Sequence, residues 1–267
     1  MTILRKGVLA VLAALTWTLF FPAPAEASKC VAYVDNGAQV VPVGYAPAQS
    51  ADTVEVTFVG HSTFRLTTPS GVIIATDYAG YAGPGPVPTV VTMNHAHETH
   101  YTPFPDPAIQ HVLRGWNPEG GPAEHDLTVA DVYIRNVPTD IRRWGGGLER
   151  HGNSIFIFEV ADLCIGHLGH LHHKPTQEQL ALIGRLDVVL APVDGTYTLN
   201  LLDMIEVLLD LRASLVIPMH YFGGESLRLF LAGMVEAFEI EVSQEATVEV
   251  SLQTLPREPT VMVLGGP

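Results

Sequence analysis

The sequence predicts a single α/β domain of packed layers. Three observations carry that prediction. Its first half is rich in short alternating or β-branched apolar runs. Its second half alternates such runs with helical stretches, and no linker of Pro, Gly or Ser divides the two. If residues 1–27 are a leader, the 267-residue chain keeps 240 residues, enough for one sizeable core.

The elements follow in chain order. TVEVTFVG (53–60) and STFRLTT (62–68) alternate as half-buried strands do, whereas GVIIATD (71–77) and PTVVTM (88–93) are short β-branched runs suited to buried strands. AGYAGPGPVP (79–88) reads as loop, and residues 101–126, rich in Pro and Gly, as a surface excursion. DVYIRNV, NSIFIFEV, LDVVLAPV and SLVIPMH read as further strands, and ATVEVSL as the last one. PTQEQLALIG opens a helix on Pro175 and Thr176, and LNLLDMIEVLLDL and ESLRLFLAGMVEAF complete the helical set. GGGLER (145–150) reads as a flexible turn.

Residues 1–27 read as a signal peptide. Arg5 and Lys6 precede the apolar run GVLAVLAALTWTLFF, and Ala25-Glu26-Ala27 fits small-x-small cleavage before Ser28. The expectation is a periplasmic or secreted protein with no stable membrane span after cleavage. Residues 28–52 form an extended lead-in, and 53–267 the domain. Net charge is −14, and removing Arg5, Lys6 and Glu26 takes it to −15. That argues against nucleic-acid binding through phosphate contacts. Of the two cysteines, Cys164 lies in the apolar LCIGHL, and a buried unpaired thiol is expected there rather than a bridge to Cys30.

Twelve histidines are present, and six of them crowd the ends of predicted strands. His95, His97 and His100 follow TVVTM, His167 and His170 follow LCIG, and His220 follows SLVIPM. Residues i and i+2 of an extended segment face the same way, so His95 and His97 are expected to share one ion. The spacing is not that of the H-E-x-x-H helix. Metal ligation by this set is the expectation, with zinc favoured by imidazole and iron, nickel or copper also accepted. His172 and His173 are left as a solvated turn.

VTMNHAHETH, GHLGHLHHKPTQEQLALIGRLDVVLAPVDGTYTL and VIPMHYF resemble the metallo-β-lactamase superfamily. VEVTFVGHSTFRL is similar to the opening of its ascorbate-6-phosphate lactonase-like branch. The resemblance spans 53–264. It implies a four-layered α/β/β/α sandwich with a metal site of one or two ions at a sheet edge. His95, His97 and His167 would match one metal position, and His100 and His220 the second. Asp77 matches an acidic residue near the site, or merely caps a strand end; His61 matches a histidine beside the pocket, or caps the turn.

Two positions depart from the family pattern. Thr99 stands where H-x-H-x-D-H has Asp, and His170 where H-x-G-D has the bridging Asp. One ion is therefore expected first, an all-nitrogen pair second, and a degraded site third, because two dications need anions between them. The functional expectation is an exported hydrolase using a metal-bound hydroxide on a small-molecule ester, lactone or phosphodiester, anionic substrates included. His170, His220 or Glu98 would handle protons or the developing oxyanion. A non-catalytic metal binder on the same fold and a β-lactamase are the competing readings, and the oligomeric state is left open.

Overall fold

The computed structural model describes residues 28–31, 52–143 and 145–266. The signal-peptide assignment and most of the lead-in fall outside them. Two sheets face each other. The first has six strands in the order β13-β1-β2-β3-β4-β5, and the second eight, in the order β12-β14-β11-β10-β9-β8-β7-β6, where β6 at the edge is Asp126–Val129. The first sheet contains β1 (Val54–Gly60), β2 (Thr63–Thr67), β3 (Ile73–Ala75), β4 (Val90–Met93), β5 (His111–Arg114) and β13 (Thr247–Val250).

The second sheet is built around β9 (Leu163–His167), β10 (Val188–Pro192) and β11 (Leu215–Met219), which pair in parallel. All three are buried throughout, as strands covered on both faces must be. On one side lies the inter-sheet core of Phe64, Leu66, Ile74, Phe156, Phe158 and Leu190. On the other lie the helices α1 (Gln177–Ile183), α2 (Leu201–Leu211) and α3 (Gly224–Met234). The outer face of the six-stranded sheet is covered, among the described residues, by loop side chains such as Tyr78, Ala82 and Ile109. This is the expected α/β sandwich.

Two of the helices have a local reason at their start. Thr176 caps α1 through a capping box with Gln179. Asn200 caps α2, whose Met204, Val207, Leu208 and Leu211 recur at helical spacing and are buried. Each such side chain contributes about 1.5–3 kcal/mol by leaving water. Arg135 of β7 (Val132–Arg142) donates to the carbonyls of Leu182 and Ile183, satisfying the end of α1, and pairs with Glu159 at 2.8 Å.

Four expectations need correction. Residues 101–126 are not all surface excursion: β5 (His111–Arg114) lies within them and pairs in parallel with β4. GGGLER is not merely a turn: Leu148, Glu149 and Arg150 already belong to β8 (Leu148–Val160), which forms a long hairpin with β7. ATVEVSL is not the last strand, because β14 (Thr260–Val263) follows it, and β12 (Glu239–Val242) precedes it unforeseen. Cys164 is not a free thiol; it is bonded to Cys30 with Cα atoms 5.9 Å apart. The bridge fixes residues 28–31 against β8, where Glu159 accepts from the Ser28 hydroxyl and the Lys29 amide at 2.5 and 2.8 Å. Among the described residues, no helix is long and apolar enough to cross a membrane.

Candidate metal centre

Strand ends from both sheets converge at one edge. β1 delivers His61, β3 Asp77 and β4 the loop carrying His95, His97 and His100. The opposing sheet delivers His170 after β9, Asp194 after β10 and His220 after β11. His61, Asp77 and His220 each adopt a left-handed backbone, with φ of 54°, 42° and 52°. The amide of His220 donates to the carbonyl of His61 at 2.7 Å, clasping the two sheets together here. Gly169 is required in HLGH: its φ is +60°, and a Cβ would meet Asn153 and Asn94 at 2.4 Å.

Ring nitrogens of His61, His97, His100 and His220 lie within 4.8 Å of one another. Two buried carboxylates orient the innermost rings. Asp77 Oδ2 accepts from His100 Nδ1 at 2.6 Å, and Asp194 Oδ1 from His220 Nδ1 at 3.1 Å. Each ring then carries its hydrogen on Nδ1 and a lone pair on Nε2. Those two Nε2 atoms face each other at 3.1 Å. Two opposed lone pairs repel unless a cation lies between them, so this donor set fits a metal. Carboxylate–histidine pairs of this kind commonly stand behind metal ligands.

Electrostatics agree with that arrangement. Burial alone would raise the Asp77 carboxyl, but His100 and His167, with hydrogen bonds from His100 and Asn94, hold it below its usual range. Asp194 is likewise held low against burial, by His220, Thr198 and Thr196. Burial, then the neighbouring His220, His100 and His97, pushes His61 down to about 3. Burial followed by His100 and His220 takes His97 to about 4. Both rings are neutral at pH 7 and keep a lone pair to offer.

Sequence-predicted residues divide into two groups. His97, His100 and His220 are brought together, with His170 Nε2 3.1 Å from His97 Nε2. His95 and His167 are not. His95 turns its Nδ1 to Glu149 at 2.5 Å and stacks on Trp116. His167 Nε2 donates to the Ser62 carbonyl, and its Nδ1 accepts from the Gly169 amide, so no lone pair remains. The expected His95/His97 pair fails because the loop is not extended: the His100 amide bonds back to the His97 carbonyl. Glu98 is exposed on the same loop and is not one of the converging groups.

Other positions gain roles the sequence left open. His61, read as a neighbour of the pocket, joins the cluster itself. Thr99, in the place of an expected acid, bridges His97 Nδ1 and His61 Nε2 at 2.8 and 2.9 Å. Asp194 was missed; an acid before Gly at the end of a buried strand was its one signal. His172, set aside as solvated, is buried beside His170. A cavity of about 1440 Å³ opens on His97 and His170, with Arg142 and Arg143 on one wall and Tyr197, Phe222 and Leu229 among its apolar groups.

The profile of the beta-lactamase superfamily domain matches residues 55–220. The chain therefore belongs to the metallo-β-lactamase superfamily. Among its relatives, a UPF0173 metal-dependent hydrolase of Methanoculleus marisnigri is 24% identical over 213 residues, 74% of this chain and 93% of the relative. A proposed Zn-dependent hydrolase of Thermotoga maritima superposes with a TM-score of 0.59 at 28% identity, over 80% of this chain and all of the other. A Parabacteroides distasonis structure, at 17% identity, a TM-score of 0.53 and 68% and 88% coverage, shares the fold.

Proposed function

We propose that the chain is an exported metal-dependent hydrolase that cleaves a small ester, lactone or phosphodiester. The observation that carries this is the pair of carboxylate-oriented imidazoles, His100 and His220, with bare Nε2 atoms 3.1 Å apart beside a large cavity. Zinc suits the all-imidazole set best, and iron, nickel or copper is chemically acceptable. When bound, such an ion supplies Lewis acidity to water and to the substrate's carbonyl or phosphoryl oxygen.

The chain's own residues supply the rest. His61, His97, His100 and His220 would hold the ion, while Asp77 and Asp194 keep two of these rings aimed. Arg142 and Arg143 favour a substrate with an anionic group. Tyr197, Phe222 and Leu229 would exclude water from its apolar part. Thr99 carries no charge, so proton handling falls to imidazoles that line the cavity, His170 first. Membership of the ascorbate-6-phosphate lactonase-like branch is consistent with the GHSTF opening and would make a lactone the first substrate to try. Export is supported by the leader-like residues 1–27 and by the Cys30–Cys164 bond, which persists in oxidising compartments.

Elemental analysis should find zinc bound at one ion per chain. Zinc-loaded protein should hydrolyse p-nitrophenyl acetate or bis-p-nitrophenyl phosphate, and the His100→Ala, His220→Ala double variant should lose both metal and turnover. Stoichiometric zinc with no turnover on esters, lactones or phosphodiesters would instead establish a non-catalytic metal binder on this fold.

A further inference from the structure

We propose that His172 fixes His170 as a hydrogen-bond donor facing the histidine cluster, so that His170 meets an anionic substrate atom and does not ligate the metal. The purpose of that donor rests on the hydrolase reading above. The direction of the hydrogen bonds does not.

That direction is set at one end by a group with no choice. The backbone amide of Arg142 can only donate, and it points at His172 Nδ1 from 2.8 Å. The Arg142 Nε, also an obligate donor, lies 3.4 Å from the same nitrogen. Nδ1 of His172 must therefore be bare. A neutral imidazole has one hydrogen, so it sits on Nε2. That Nε2 faces His170 Nδ1 at 2.5 Å, and Nδ1 must accept. By the same rule the hydrogen of His170 sits on Nε2, the atom directed at the cluster and at His97. The pattern continues consistently. In the absence of an ion His97 Nε2 accepts, its Nδ1 donates to Thr99 Oγ1 at 2.8 Å, and the Thr99 hydroxyl donates to His61 Nε2 at 2.9 Å; an ion held by His97 and His61 would take over both lone pairs and release the His170 N–H for an anionic substrate atom.

His170 is thus oriented opposite to His100 and His220. Their carboxylate partners leave lone pairs turned inward; its histidine partner leaves an N–H turned inward. His170 is held there from both sides, since its amide donates to Asn153 Oδ1 at 2.7 Å and its ring is buried. It borders the cavity together with Arg142 and His172. An N–H in that place suits a carboxylate, a phosphoryl oxygen or the oxyanion that develops at a carbonyl under attack. His172 is then a positioning residue, and Arg142 acts twice: its backbone amide sets the relay and its side chain lines the cavity.

Two-bond ¹⁵N–¹H spectra of histidine-labelled protein read the assignment directly, with His170 and His172 identified from His170→Asn and His172→Gln spectra. In wild type both should carry hydrogen on Nε2 and none on Nδ1, before and after zinc is added. A bare His170 Nε2, or one that shifts as a ligand does when zinc is added, overturns the proposal. His172→Gln should preserve the His170 signature, since its amide can accept from Arg142 and donate to His170. His172→Leu should abolish it and give His170 a free Nε2 lone pair, so that zinc is retained severalfold better against a chelator. Weaker retention with the His170 signature unchanged counts against the proposal. Wild-type protein that shows the signature but binds no zinc would sink the metal-centre reading alone, whereas bound zinc without the signature would sink the relay alone.

Discussion

The two walls of the histidine cluster are built from the same side chain and behave in opposite ways. On one wall, His100 and His220 rest on the buried carboxylates Asp77 and Asp194. On the other, His170 rests on a second imidazole, His172, while His97, backed by the Thr99 hydroxyl, keeps the tautomer of the first wall. A carboxylate can only accept when ionised, so it takes the Nδ1 hydrogen and frees Nε2 as an electron-pair donor. The His170 wall ends on a backbone amide that can only donate, which reverses the tautomer there. What an imidazole contributes is decided by the atom behind it.

The largest expected effect sharpens this contrast. Asp77→Asn and Asp194→Asn replace the charged acceptors that orient His100 and His220 by neutral amides, and each should weaken zinc binding 10–100-fold in chelator competition. An unchanged affinity in both would break the comparison at its stronger wall. Thr99→Val removes only a neutral hydroxyl between His97 and His61. The cost should be about 1 kcal/mol, roughly fivefold in zinc affinity by the same assay.

A smaller effect is expected at His95, two residues from His97 but hydrogen-bonded to Glu149. His95→Ala should leave the zinc content of the purified protein unchanged; loss of the ion would return His95 to the cluster and break the comparison from outside. The smallest is a control far from the site. Hydrogen bonds from Ser28 and Arg135 outweigh burial and hold Glu159 below the usual carboxylate range. Its folded value lies under its unfolded one, so its stabilisation is complete above about pH 4.3 and is lost as pH falls through the folded value. Glu159→Gln should flatten the acid limb of the melting-temperature profile and leave zinc affinity alone.

Much of this architecture was legible because it depends on local pattern. β9, β10 and β11 are apolar runs bounded by turn residues, and Thr176 with Gln179 announces α1. β12 was missed because EIEV is exposed and charged, and β14 because TVMV is only four residues long after PREP. At the site, the strand-end histidines marked the right edge of the sandwich. Which of them converge was not legible. His95 and His97 part because the chain turns at once after β4. The roles of His61, Asp194 and His172 depend on contacts across 38, 26 and 30 residues respectively, with Thr99, His220 and Arg142. The Cys30–Cys164 bond spans 134 residues, and no local feature of LCIGHL reports it.

The left-handed backbone at His61, Asp77 and His220 has a thermodynamic consequence. Each departs from the conformations that L-residues favour, at a cost on the order of 1–3 kcal/mol. Glycine at any of the three would relieve that tension, yet it would delete an imidazole or the carboxylate that aims one. Selection for durability and selection for chemistry therefore pull in contrary directions at these three corners. Extra robustness in this protein has to be sought elsewhere, in helix caps or hydrophobic packing, where nothing is being held taut.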